Sequence, residues 1–255
     1  MSQPKLGWIA PPDRAHEDKY PLRKLAAPPV VCERRISFKS LWRKFYNQGQ
    51  TPECVAFSSS EERSLATRGT FDPNWLYARC KERDGMPNQD GTLLRVAYDV
   101  LRELGPKPVH ASGPDLSKGV ARNEWASSVD DIRVAIQNGA SGVVMGSNWY
   151  DAMFDPIRRG GHYWLPASDA NLGSLAGGHA YLLDGVSDHL EAFTTPNSWG
   201  ESDRSWHPGE AGWPVTLIPY SLIERLLGGR RRMLCARSKN GIICYHSQRW
   251  TPVPA

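Results

Sequence analysis

Helical periodicity fills the first half of this chain and stops near residue 140, beyond which every apolar run is short and strand-like. In TLLRVAYDVLRELG, Leu93, Val96, Ala97, Val100 and Leu101 recur at helical spacing, with Thr92 placed to cap the start and Gly105 the end. PNWLYARCKERDG carries Pro73 where a helix begins and Gly85 just past its end. CVAFSSSEERSLATRG starts another helix near Cys54, with Val55, Phe57, Leu65 and Ala66 as its apolar residues and Gly69 as its stop. SSVDDIRVAIQNG, with an N-cap serine and a terminal glycine, closes the helical half. SGVVMGS, HAYLLDGV, LEAFTTPNSW and WPVTLI then follow, separated by Gly, Pro, Asn and Asp. Helices first and strands second predict an α+β fold of two lobes, helical over about 48–115 and β-rich over about 120–245. Residues 1–31, rich in proline and charge, read as an extended arm over a folded domain of 32–255. Asp155–Gly178, containing Gly160 and Gly161, reads as a loop bordering a cleft.

Several classes of function are excluded on composition. Lys and Arg total 31 against 27 Asp and Glu, a formal charge of +4, too small an excess to argue for nucleic acid. No stretch approaches the ~20 apolar residues of a membrane helix. The N-terminus lacks the apolar core of a secretory signal, so a cytoplasmic location is expected. The five cysteines, 32, 54, 80, 235 and 244, are odd in number and lack CxxC spacing, so no disulfide scaffold, metal site or cofactor is expected and at least one thiol is free. Cys80, Cys235 and Cys244 read as packing residues. Arg230, Arg231 and Arg232, with Arg225 and Arg237, form a solvated basic face or a docking surface for a larger assembly, a role open to the N-terminal arm as well. Asp184, out of phase with His179 on one strand, reads as structural or solvated.

The residues that carry chemistry stand far apart in sequence. Cys54 follows the turn-forming run Gln48–Glu53 and opens a helix, where backbone N–H groups favour a thiolate. A free cysteine is also commonly a small buried hydrophobe. His179 heads an apolar strand behind Gly177 and Gly178, which permit close approach of a backbone or substrate. Asn197 lies eighteen residues on, in PNSWG. Cysteine, histidine and asparagine form a nucleophile, base and orienter set. Trp199 shares the strand face of Asn197 and so can shield the His–Asn hydrogen bond, while Gln48 can donate to an oxyanion together with the Cys54 N–H.

NQGQTPECVAFS (47–58), GGHA (177–180) and NSWG (197–200), in that order, resemble the sequence motifs of the papain-like cysteine peptidases, the C1 family. The resemblance spans roughly residues 28–235 and is closest to the bacterial and phage branch that lacks a large inhibitory prodomain. It implies a helical left lobe, a β-rich right lobe and an active-site cleft between them. It further implies a thiol endopeptidase acting on peptide or protein, with Cys54 as nucleophile, His179 as general acid and base, Asn197 as its orienter and Gln48 as oxyanion donor. NQDGTLLRVAYDVL (88–101) is similar to the family's glycine-containing approach to its second helix, which makes Gly91 a backbone contact for substrate beside Gly178 and Trp199. Thr51 stands where the family has a disulfide cysteine, consistent with a reducing compartment. Pro52, Glu53 and Val55 also depart from the family pattern. Glu53 either repels a thiolate on Cys54 or serves simply as a helix-terminal carboxylate. Two other readings stay open: a catalytically idle module of a larger assembly, and a thioester-based transpeptidase or ligase.

Overall fold

Four helices form where the spacing predicts them: α1 (Cys54–Thr67), α2 (Pro73–Lys81), α3 (Leu94–Glu103) and α4 (Val129–Gln137). The computed structural model describes residues 4–11, 35–37, 44–137, 141–200, 216–228 and 233–238, with the backbone alone for 35–37 and 233–238. Cys32, Cys244, Arg230, Arg231 and Arg232 lie outside the described residues, as do the side chains of Cys235 and Arg237. Asp72 caps α2 by accepting the Trp75 N–H at 3.1 Å, ahead of a proline whose missing N–H costs nothing in the first turn. Thr92 does not cap α3. Leu93 takes that position, and the Thr92 hydroxyl donates instead to Asp84 at 3.0 Å.

Helix α1 is the axis of the molecule, and every residue from Cys54 to Ala66 is buried. Part of its polar middle is partnered within the fold, while Ser59, Ser60 and Glu61 keep buried side-chain oxygens with no hydrogen-bond partner. Ser58 and Ser64 donate to the carbonyls of Cys54 and Ser60 at 2.7 and 2.8 Å. Arg63 forms a two-pronged pair with Glu62 at 2.6 and 2.5 Å and donates to the Gly119 carbonyl at 3.2 Å. Around the helix pack Leu76 and Cys80 of α2, Ala97, Val100 and Leu101 of α3, and the apolar faces of the central strands.

The strands make two sheets. One has the order β1 (Arg35–Ser37), β7 (Gly185–Ser187), β8 (Ala192–Thr195), β9 (Thr216–Pro219), β5 (His162–Trp164), β4 (Ile157–Arg159). The other has the order β2 (Val120–Ala126), β10 (Met233–Ser238), β3 (Val143–Tyr150), β6 (Leu175–Leu183). Pairing is antiparallel except between β5 and β9. Chain passing from β6 to β7 changes sheets at Asp184, which is wholly buried and accepts the Thr194 hydroxyl at 2.6 Å; of the two roles expected for it, the structural one holds. The stretch Asp155–Gly178 is not wholly irregular: β4 and β5 form a hairpin across Gly160 and Gly161, whose φ values of 59° and 77° suit a tight two-residue turn. Strand β2 and helix α5 (Tyr220–Gly228) are further elements beyond those expected. Among the described residues, no helix is long and apolar enough to cross a membrane.

Candidate active site

Three elements bring the site together. Residues 46–48 run beside 198–200, with the Gln48 N–H on the Ser198 carbonyl at 2.9 Å and the Gly200 N–H on the Tyr46 carbonyl at 3.1 Å. The turn that follows, closed by Thr51 N–H and hydroxyl bonds to the Gln48 carbonyl at 3.1 and 2.7 Å, delivers Cys54 to the first position of α1. Strand β6 then lies along that helix, and the Ala180 N–H donates to Cys54 Sγ at 3.3 Å. His179 is the residue before Ala180 on the same strand.

His179 Nε2 and Asn197 Oδ1 are 2.9 Å apart, and Asn197 holds a φ of 55° that asparagine tolerates better than most residues. The other ring nitrogen, Nδ1, is buried without a hydrogen-bond partner. That nitrogen is therefore available for a proton. The imidazole is boxed by aromatic rings: Trp199 stacks at 5.0 Å and 26°, and Trp149 meets it edge-on at 4.8 Å and 77°. Trp199 thus shields the His–Asn bond, and it is not among the residues that border the cavity beside the arm. Trp149 and Tyr181, the latter stacked at 5.8 Å, escaped the sequence reading. Tyr181 shares strand parity with His179 and could have been found; Trp149 reaches the ring from β3, for which the sequence holds no signal.

The chain's own first residues fill the groove above the thiol. The Lys5 carbonyl accepts from Gln48 Nε2 at 2.8 Å, and that amide is steadied by the Ser198 hydroxyl on its Oε1 at 3.3 Å. The Trp8 N–H donates to the Gly178 carbonyl at 2.9 Å, the Thr92 N–H to the Gly7 carbonyl at 2.9 Å, and the Ile9 N–H to the Thr92 carbonyl at 3.1 Å. Residues 4–11 of the arm therefore run through the cleft as an extended peptide bonded to both walls. A side chain at Gly178 would meet the Trp8 carbonyl at 2.1 Å, and one at Gly91 the Gly7 carbonyl at 1.9 Å. Gly91 also has a φ of 83°, so the position calls for glycine twice over. Yet the backbone groups that pair with the arm belong to Thr92. Gly91 itself meets the arm only by close approach, since its N–H donates to Tyr77 Oη and its carbonyl accepts from Lys81. A cavity of about 510 Å³ remains beside the arm, bordered by Gln89 and Asp90 on one wall and Phe154 and Ala176–Gly178 on the other.

Covering the site reverses the electrostatics expected of a helix-terminal thiol. Burial pushes Cys54 up to about 11, against the pull of the Ala180 and Gly7 N–H groups, and burial lowers His179 to about 4 despite its bond to Asn197. Thiol and imidazole are both neutral in this state. Glu53 is not among the main causes acting on the thiol. It stands at the N-cap of α1 with no side-chain hydrogen bond to the helix, and its carboxyl is raised by burial and then by Asp72. Among the described residues no group of three or more His, Cys, Asp or Glu could hold a metal ion.

The chain superposes on xylellain, a cysteine protease from Xylella fastidiosa, over 93% of its own length and 98% of that chain, with a TM-score of 0.70 at 17% identity. The fold is that of the papain-like cysteine peptidases. Procathepsin B S9 from Trypanosoma congolense aligns over 92% of this chain and 87% of its own, with a TM-score of 0.61 at 12% identity. Digestive procathepsin L 3 of Tenebrio molitor larval midgut aligns over 85% and 73%, with a TM-score of 0.59 at 16% identity. No family model matches the sequence, and no curated protein matches it. In the papain-like frame the two lobes are recognisable as α1–α3 and the strand-rich remainder, and the cleft described above runs between them.

Proposed function

We propose that this papain-like chain is a cysteine peptidase whose cleft is occupied by its own N-terminal residues until they leave. The observation that carries the reading is the Lys5 carbonyl on Gln48 Nε2 at 2.8 Å: a peptide carbonyl already lies on the donor that an oxyanion needs. With the arm displaced and water admitted, the burial that holds the thiol near 11 and the imidazole near 4 is relieved, and proton transfer from Cys54 to His179 Nδ1 becomes favourable. The Cys54 sulfur then attacks a peptide carbonyl, and the negative oxygen is received by Gln48 Nε2 and the Cys54 N–H. His179 returns the proton to the leaving amine, and the thioester is opened by water that His179 deprotonates. Asn197 keeps Nε2 engaged throughout, so Nδ1 stays directed to the reaction.

An idle module is favoured by one observation, the neutral buried thiol. The two readings separate on a chain carrying Gly7→Ala, whose new methyl would lie 1.8 Å from the Pro52 carbonyl and so unseats the arm. A peptidase gains hydrolysis of a denatured protein substrate, lost again on adding Cys54→Ala. An idle module gains none.

A further inference from the structure

The wall of the cleft that pairs with a peptide backbone is a loop, residues 82–93 between α2 and α3, with neither helix nor strand of its own. Left to itself such a loop is a poor template for hydrogen bonds, because its ordering must be supplied at binding. One side chain supplies it here. The ammonium of Lys81, the last residue of α2, sits among four oxygens drawn from the length of the loop: Asp84 Oδ2 at 2.8 Å and the carbonyls of Met86, Gln89 and Gly91 at 2.6, 2.9 and 3.1 Å. Asp84 is fully buried at its side chain, and its other contacts also belong to the loop, with the Met86 N–H on Oδ1 at 2.8 Å and the Thr92 hydroxyl on Oδ2 at 3.0 Å. Tyr77, one helical turn before Lys81 on the same face, accepts the Gly91 N–H at 3.1 Å. Among the described residues no disulfide ties this loop down, and Cys80 beside it is a free thiol.

We propose that Lys81 is the positioning residue of the peptide-binding wall: its ammonium gathers the loop around itself so that Thr92 presents its N–H and C=O to an extended peptide. This rests on the peptidase reading. The arm displays the arrangement in use, since the groups that bond Gly7 and Ile9 are those of Thr92, while both polar backbone groups of Gly91 are committed to Tyr77 and Lys81. The cage is specific to an ammonium. Three carbonyls and a carboxylate converge on one point, which a planar guanidinium cannot satisfy from a single nitrogen. Removing the cation leaves a buried carboxylate facing carbonyl dipoles, and the loop must open to hydrate it.

The test compares two thiol reagents on the full chain, by mass spectrometry of Cys54: iodoacetamide, which needs only the thiol, and a tripeptidyl chloromethyl ketone, which also needs the backbone-pairing wall. Both reagents are compared in a Gly7→Ala background, where the arm is already unseated, so that their rate ratio cancels changes in thiol exposure. In Lys81→Met the ratio of peptidyl to iodoacetamide rate should fall about tenfold or more, as expected when a positioning element is displaced by an ångström or so. Lys81→Arg should fall likewise, and Asp84→Asn, which keeps the shape of the cage and removes its charge, should fall less. Arg83→Met, which loses only an exposed ion pair to Glu103, should leave the ratio unchanged. A ratio unmoved in Lys81→Met and Asp84→Asn, whatever their melting temperatures, overturns the proposal and leaves Lys81 a stabilising residue. If iodoacetamide does not prefer Cys54 even where Gly7→Ala has unseated the arm, the peptidase reading fails and this proposal falls with it.

Discussion

At the residue scale, Cys54 is a poor nucleophile while it is covered. Its thiol stands at about 11, so the thiolate fraction should grow about tenfold per pH unit across the neutral and mildly alkaline range. The rate of Cys54 alkylation in the full chain is therefore expected to climb steadily from about pH 7 to 10, and a plateau near neutrality would contradict the buried state. In Gly7→Ala the same profile should move to lower pH, because water reaches the sulfur. Glu53 has a different consequence. Its carboxyl is raised by burial and then by Asp72, so its ionised form is disfavoured in the folded chain and costs stability above its ordinary range. Glu53→Ser should leave the pH profile of Cys54 in place and hold or raise the melting temperature; a clear downward shift of the profile would restore the repulsion that adjacency in sequence suggests. Cys54, His179, Asn197 and Gln48 were legible, since each sits in a short motif whose residues the fold brings together. What was not legible was the state of the pair, which depends on a segment nearly fifty residues away from the thiol.

At the element scale, α1 shows what spacing can and cannot tell. Its bounds follow from Cys54, Val55, Leu65 and Ala66, but the run SSSEER gives no hint that it is buried on every side. The burial arises because α2, α3, β3 and β6 all pack on this one helix, a fact of tertiary arrangement. The Glu62–Arg63 pair in its middle has side chains with 0% exposure. Arg63→Met, which strands the Glu62 carboxylate, should destabilise the fold by about 3–5 kcal/mol in a denaturant titration. A loss well under 1 kcal/mol would mean that water reaches the pair. The arm is the other element whose role was only half visible. Its lack of periodicity marked it as extended, but the order of bonds from Lys5 to Ile9 depends on glycines at 7, 91 and 178 that meet only in three dimensions. The hairpin in Asp155–Gly178 was missed for a simpler reason: its strands have three residues each, too short to show alternation.

At the scale of the whole molecule, stability should respond to protons and not to reductant. Glu61 is buried, neither carboxylate oxygen has a hydrogen-bond partner, and burial followed by the charge of Asp184 holds its carboxyl well above the usual range. The folded chain therefore keeps a proton that the unfolded chain releases above about pH 4.5, so stability falls as pH rises through that range. Glu61→Gln, which removes the titration at equal size, should raise the melting temperature at pH 7 by more than at pH 4. An equal or lower value at pH 7 would show that Glu61 is paired. Cys54 and Cys80 are both free thiols, and the full chain should melt within about 2 °C with and without reductant, whereas a native disulfide worth ~3 kcal/mol would shift the midpoint by roughly 6–12 °C. Strand order carries one last consequence. In the four-stranded sheet β10 lies between β2 and β3, so residues 233–238 separate strands that begin at 120 and 143. On the ribosome, β2 and β3 emerge long before the strand that joins them, and during that interval each keeps an unpaired edge. The wall of β6 that receives Trp8 rests on β3, so the segment around Trp8 reaches its finished seat only after a strand far later in the chain has been made.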